Sequence, residues 1–186
     1  MDPLIAKAVC IGFGGLLLLA ARHKLVTLQQ FHAVLADYRV LPVPLVTPVA
    51  WIVPTIELLI GSSWLLACAG YLPVMVAALA TTLLLALYTL AMAINLLRGR
   101  RHISCGCGLS ASAADGQLLS WWLIARNGLL IGIALAAGLP LSARALNFAD
   151  YATLTGLLLS AALLYIAAAQ LLRNRVAIAA WRQGHD

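Results

Sequence analysis

The sequence predicts an all-α integral membrane protein, a bundle of about five transmembrane helices with an interfacial amphipathic helix after the first. Three observations predict it. The 186 residues are 63% hydrophobic and only 10% charged, whereas a soluble domain carries roughly 45–50% apolar and about 25% charged residues. The mean hydropathy is +0.99. The apolar residues also fall in runs of about 20, enough to cross a hydrocarbon layer. So few charges could not cover a water-facing surface, which excludes a soluble domain.

The first span covers 4–21. Ile11–Ala21 resembles the apolar part of a signal peptide, but Asp2 and a lone Lys7 precede it and further spans follow, so a retained helix is expected. Arg22, His23 and Lys24 end it. Over 25–38, Leu25, Leu28, Phe31, Leu35 and Tyr38 recur at three- and four-residue spacing, while Gln29, Gln30, His32 and Asp37 take other faces. That pattern predicts a helix lying on the membrane surface. Leu41-Pro42-Val43-Pro44 breaks it, because proline removes a donor and restricts its predecessor. The second span, 49–69, contains Pro54 and Glu57, and Gly70 and Tyr71 turn it back into the third, 72–97. A polar loop occupies 98–116. The fourth span, 118–139, opens near an interface with Trp121 and Trp122. The fifth covers 151–172, and a short basic tail follows. With no repeat or low-complexity linker, residues 1–186 read as a single transmembrane domain.

The net charge of +6 would suggest nucleic acid in a soluble chain. Here no basic patch with interleaved aromatics is present, so the expected partner of these charges is the lipid bilayer and no nucleic acid. Five spans place the 22–48 segment, the 98–116 loop and the tail on one face. That face holds Arg22, Lys24, Arg39, Arg98, Arg100, Arg101, Arg173, Arg175 and Arg182; the other has Lys7 and Arg144. By the positive-inside rule this loop face is cytoplasmic.

Within the loop, Cys105 and Cys107 are separated by Gly106 and followed by Gly108. A Cys-x-Cys disulfide closes a small strained ring, for which glycine supplies backbone freedom. Strained, exposed disulfides are the more oxidising ones, suited to exchange. Arg100, Arg101 and His102 lie just upstream, and nearby cations favour the attacking thiolate. The pattern therefore sets out a reactive dithiol. An inert loop and part of a metal site are the competing readings. A structural zinc needs four ligands, and the further histidines on that face are His23, His32 and His185, so no metal is predicted. Cys10 and Cys68 fall towards the opposite face. They read as small buried hydrophobes or, more sharply, as a second thiol pair.

Glu57 and Arg126 each lie about eight residues into their spans from the loop face, roughly 12 Å deep at the helical rise. Ionisable groups at that depth pair or line a cavity. The two are predicted to face one another or share a polar pocket, with Asn95 and Asn127 on the same side. Fastening of helices is the alternative. His23 and Lys24 close the first span there, as an interfacial histidine and a snorkelling lysine or as members of the same site.

These residues carry a resemblance. His23-Lys24 through Phe31, Tyr38-Arg39-Val40-Leu41-Pro42, Pro54, Glu57-Leu58 and Gly61 resemble the DoxX-like membrane proteins. Asn95 to Gly108, NLLRGRRHISCGCG, is similar to the signature of the MauE family of methylamine-utilisation proteins within that group. The resemblance implies a four-helix DoxX/VKOR-like core plus one helix in a bacterial cytoplasmic (inner) membrane. It implies a role in maturing the disulfide-rich small subunit of periplasmic methylamine dehydrogenase beside a thioredoxin-like partner, MauD. It makes Cys105 and Cys107 the redox pair and puts Glu57 in an intramembrane polar site. In outline the layout is also similar to the quinone-linked disulfide generators DsbB and VKOR, whose pair is Cys-x-x-Cys, and this similarity raises a quinone acceptor. By the same analogy the loop face is periplasmic, opposite to what the charges give.

The leading expectation is thus a membrane thiol–disulfide oxidoreductase acting through Cys105 and Cys107. A non-catalytic assembly or tethering subunit, and a carrier of a small apolar molecule or ion in the Glu57 pocket, are the alternatives.

Overall fold

A computed structural model describes residues 2–100, 119, 121–139, 146–160, 162–164 and 167. The chain forms two compact units, Met1–Ser142 and Ala143–Asp186. Every regular element among the described residues is helical. The first unit contains α1 (Pro3–Val26), α2 (Leu28–Tyr38), α3 (Val43–Cys68), α4 (Val74–Leu97) and α5 (Trp121–Ala137). The second contains α6, running over Phe148–Leu164. The helices α1, α3 and α4 are long and apolar enough to cross a membrane, while α5 and α6 are shorter apolar helices. This is a helical, multi-pass membrane protein.

Local chemistry sets the helix ends. The Asp2 side chain accepts from the Leu4 N–H at 2.8 Å, capping α1, and Pro3 occupies the first turn, where its missing donor costs nothing. At its other end α1 runs on to Val26, taking in the Arg22-His23-Lys24 stretch that the sequence pattern placed beyond the helix. His23 and Lys24 there complement the negative end of the helix dipole. Likewise α3 begins at Val43, six residues before the expected start of the span. Pro42 caps it and Pro44 sits in its first turn, positions at which proline fits a helix rather than breaking it.

Two residues without side chains determine how α1 and α3 pack. A Cβ on Gly61 would stand 2.9 Å from Leu18 Cγ, 3.1 Å from Leu18 N and 3.2 Å from Gly14 O. A Cβ on Gly14 would lie 2.7 Å from Leu65 Cδ2 and 3.3 Å from Gly61 O. The backbones therefore cross in near contact, the close approach that small residues permit between membrane helices. Later residues of α1 meet earlier residues of α3, so the pair is antiparallel. Beside this crossing the Phe13 and Trp64 rings stack at 5.1 Å with 14° between their planes. Trp64 Nε1 donates to Thr81 Oγ1 of α4 at 2.7 Å, satisfying both groups in a fully buried place.

The apolar core has two parts. One joins α1, α3, α4 and α5 around Cys10, Phe13, Trp64, Leu84 and Ala134. The other lies at the loop end, where Tyr38 of α2 meets Met92, Leu96, Leu119 and Leu123. Two bonds hold α2 at that end. His32 Nε2 and Thr47 Oγ1 lie 3.1 Å apart, and Arg98 Nη1 donates to the Arg39 carbonyl at 3.3 Å. Outward faces are apolar instead of charged: Leu59 is 63% exposed and Leu83 64%. In a soluble protein such a surface would aggregate; in a bilayer it is the solvated surface.

Candidate functional site

Three helices each send one polar side chain into a common buried point. Lys24 comes from the last turn of α1, Glu57 from the middle of α3 and Tyr88 from α4. Lys24 is 4% exposed and Glu57 1%. Glu57 Oε1 accepts from Lys24 Nζ and from the Tyr88 hydroxyl, the latter at 2.6 Å. Lys24 Nζ also donates to the Tyr88 oxygen at 3.4 Å. It lies 5.1 Å from the Tyr88 ring centroid and 5.4 Å from that of Phe31, so two aromatic rings share the ammonium with the carboxylate. In a region without water an isolated charge would be expelled or neutralised, and mutual pairing is what retains these two.

The structure gives Glu57 a partner that the sequence pattern did not. Arg126, expected to face it or share a polar pocket with it, lies on α5, which packs on α4 and α1, whereas α3 packs on α1, α2 and α4. Among the described residues the ion pair is Lys24–Glu57. Arg126 is half-buried, and its Nε has no hydrogen-bond partner. Lys24 does not snorkel outward. It turns inward, because the antiparallel crossing at Gly14 and Gly61 brings Glu57 level with the end of α1. Tyr88 escaped the sequence reading, although a signal was present. Tyr88, Met92 and Asn95 recur at i, i+4 and i+7 on α4, so one polar member of that stripe implied another.

Several buried polar atoms on these three helices are left over. Glu57 Oε2 and Asn95 Oδ1 are buried with no hydrogen-bond partner, and His23 Nε2 is likewise unpartnered. Asn95 is fully buried and spends its amide on the Ala91 carbonyl at 3.1 Å. Asn127 donates to Thr89 Oγ1 at 3.3 Å, tying α5 to α4 one residue beyond Tyr88.

The end of α4 prepares the departure of the chain towards the cysteine pair. Gly99 adopts φ +74°, the left-handed conformation natural to glycine. The Gly99 N–H donates to the Leu96 carbonyl at 3.0 Å and the Arg100 N–H to the Asn95 carbonyl at 3.0 Å. This is a Schellman cap, which satisfies the last carbonyls and fixes the exit direction. The same Asn95 thus contributes its backbone to the cap and its side chain to the buried polar stripe. Cys105, Cys107, Arg101 and His102 lie outside the described residues.

At the other end of α1, Lys7 Nζ donates to the Cys68 carbonyl at 3.5 Å. Cys10 and Cys68 are both free thiols.

Residues 2–141 match the family model of the methylamine utilisation protein MauE. The methylamine utilization protein MauE of Paracoccus versutus is 36% identical over 153 residues, covering 82% of this chain and 78% of that protein. That of Paracoccus denitrificans is 34% identical over 143 residues, covering 75% and 73%. The Methylorubrum extorquens protein of the same description is 38% identical over 136 residues, covering 73% and 68%. No solved structure matches.

Proposed function

This chain belongs to the MauE family of methylamine utilisation proteins, and from that premise we propose that it is a thiol–disulfide oxidoreductase of the bacterial cytoplasmic membrane. It supports disulfide formation in a disulfide-rich periplasmic client, such as the small subunit of methylamine dehydrogenase, together with a thioredoxin-like partner. The observation that carries the proposal is the pair Cys105-Gly106-Cys107, five residues beyond the Schellman cap that ends α4. By covalent reach alone Cys105 stays within about 17 Å of Arg100. Arg98 and Arg100, at the start of that segment, supply the positive field that favours thiolate over thiol.

In the exchange, a thiolate of the partner attacks one sulfur of the Cys105–Cys107 disulfide and forms a mixed disulfide. The second partner thiol, losing its proton, displaces it. The partner leaves oxidised and the cysteine pair leaves as a dithiol. Lys24, Glu57 and Tyr88 serve this reading by locking α1, α3 and α4 at one depth, which gives the exit of α4 a fixed platform.

Trapping tests it. In cells supplied with the thioredoxin-like partner, the Cys107→Ser variant is expected to accumulate a mixed disulfide through Cys105. The Cys105→Ser/Cys107→Ser variant is expected to lose client oxidation. Full client oxidation by the double variant, with the partner still co-purifying, would establish the tethering role instead. An impermeant thiol reagent applied to intact cells labels Cys105 and Cys107 only if the loop face is periplasmic, the side on which client disulfides form.

A second reading is favoured by Glu57 Oε2 and Asn95 Oδ1, two buried acceptors without donors. Such atoms suit a ligand that brings hydroxyl groups, and a quinol has that chemistry. A bound quinone would supply the acceptor for the two electrons and two protons that the dithiol releases. Solvent extraction of the purified protein, with Glu57→Gln and Asn95→Leu as comparisons, measures it; equal quinone content in all three would end this reading.

A further inference from the structure

Lys7, Cys10 and Gly14 fall on one stripe of α1 at three- and four-residue spacing, and Gly61, Leu65 and Cys68 fall on one stripe of α3. The two helices run antiparallel with Gly14 set against Gly61 and Leu65. One turn back along α1 and one turn forward along α3, that register brings Cys10 opposite Cys68. Two contacts support the placement independently of the glycines. Lys7 Nζ reaches the Cys68 carbonyl, and Cys68 packs against the core cluster in which Cys10 is 2% exposed. A disulfide requires Cα atoms about 4.4–6.8 Å apart, a separation that helices reach only where their backbones nearly touch. The glycine crossing supplies that approach one turn away.

We infer that Cys10 and Cys68 are a disulfide-forming thiol pair at the end of the bundle remote from Lys24 and Glu57. Their positions divide the labour. Cys68 is the last residue of α3, half-buried beside the short turn into α4, where a water-borne disulfide reaches it. Cys10 lies behind it in the core. The Cys68 thiolate attacks a low-molecular-weight disulfide, expelling one thiol and leaving a mixed disulfide. Cys10 then gives up its proton and attacks the Cys68 sulfur, expelling the second thiol. Two protein thiols become one disulfide, and one external disulfide becomes two thiols. The product joins α1 to α3 covalently beside their crossing. This goes beyond the Cys105–Cys107 reading and does not depend on it.

The test uses full-length Cys105→Ser/Cys107→Ser protein in detergent micelles, treated with glutathione disulfide. It is then denatured, alkylated with a maleimide and mapped without reduction. The expected result is a linked peptide pair containing Cys10 and Cys68, with alkylation lost at both together. With Cys10→Ser added, Cys68 is expected to stop at the glutathione adduct. With Cys68→Ser added, Cys10 is expected to stay free. The inference is overturned if both thiols remain alkylatable, if Cys68 keeps glutathione while Cys10 is free, or if Cys68 links only to a second copy. The same mapping on the unsubstituted chain covers any disturbance from the loop substitutions. Failure here leaves the Cys105–Cys107 proposal standing, because those thiols are absent from the first sample.

Discussion

Lys24→Met and Glu57→Gln, made singly and together, measure what the buried pair contributes. Removing one partner of a buried ion pair costs about 3–5 kcal/mol, because the survivor is left uncompensated. The two single variants differ in how they recover. Without Lys24, the carboxyl keeps the 2.6 Å bond from Tyr88. Without the Glu57 charge, the ammonium keeps the 3.4 Å bond to the Tyr88 oxygen and the Phe31 and Tyr88 rings, the rings contributing about 2 kcal/mol when desolvated. Glu57→Gln is therefore expected to cost about 3 kcal/mol and Lys24→Met about as much or somewhat less. The double variant removes both charges at similar volume and is expected to lie within about 2 kcal/mol of the natural protein. The resulting coupling is on the order of 3 kcal/mol. Reversible unfolding of the four proteins in mixed micelles of rising SDS fraction reads it directly. If the single costs simply added, within about 0.5 kcal/mol, Lys24 and Glu57 would not act as a pair and this coupling would be refuted.

Two further outcomes are expected. Gly61→Ala must push a Cβ against Leu18 N and Gly14 O, at 3.1 and 3.2 Å, for a cost of about 1–3 kcal/mol. Gly12→Ala meets nothing within 4 Å and should be neutral or gain up to about 1 kcal/mol from helix propensity; the same unfolding assay compares them. In α2, burial pushes the Tyr38 phenol up to about 12, against about 10 in an unfolded chain. The neutral phenol thus favours the fold in full below pH ~10, and the benefit is lost as pH rises through 12, by on the order of 2 kcal/mol. Unfolding followed between pH 9 and 12 should show that loss, and Tyr38→Phe should make it shallower.

Much of this architecture was legible in the residues, and the exceptions share a physical origin. The apolar runs located α1, α3 and α4, and the three- and four-residue spacing from Leu25 to Tyr38 located α2. The start of α3 departs from the sequence expectation at its prolines. Pro42 and Pro44 open α3, since the first turn of a helix has free donors anyway. That six-residue displacement puts Glu57 mid-helix instead of about eight residues from the start of its span. Depth estimates compare residues along the membrane normal, whereas pairing depends on which helices are neighbours. Arg126 and Glu57 match in expected depth but sit on helices with different main neighbours, α5 packing on α4 and α1, and α3 on α1, α2 and α4. Tyr88 was missed because a phenol in an apolar helix resembles core until a carboxylate is known to face it. The closeness of Cys10 and Cys68 depends on the Gly14–Gly61 crossing, which spacing within either helix does not reveal.

The convergence of Lys24, Glu57 and Tyr88 also constrains how this chain tolerates changes in length. Each residue added to an α-helix turns everything beyond it by about 100°. One residue inserted in α4 between its start and Tyr88 would swing the phenol to another side of the helix while keeping the span equally apolar. Hydropathy would register almost no change, yet the carboxylate would lose a donor. Three helices indexed to one atom, Glu57 Oε1, thus hold each other in rotational phase. Additions are accommodated in the connecting segments, or within a helix only as sets that restore the phase.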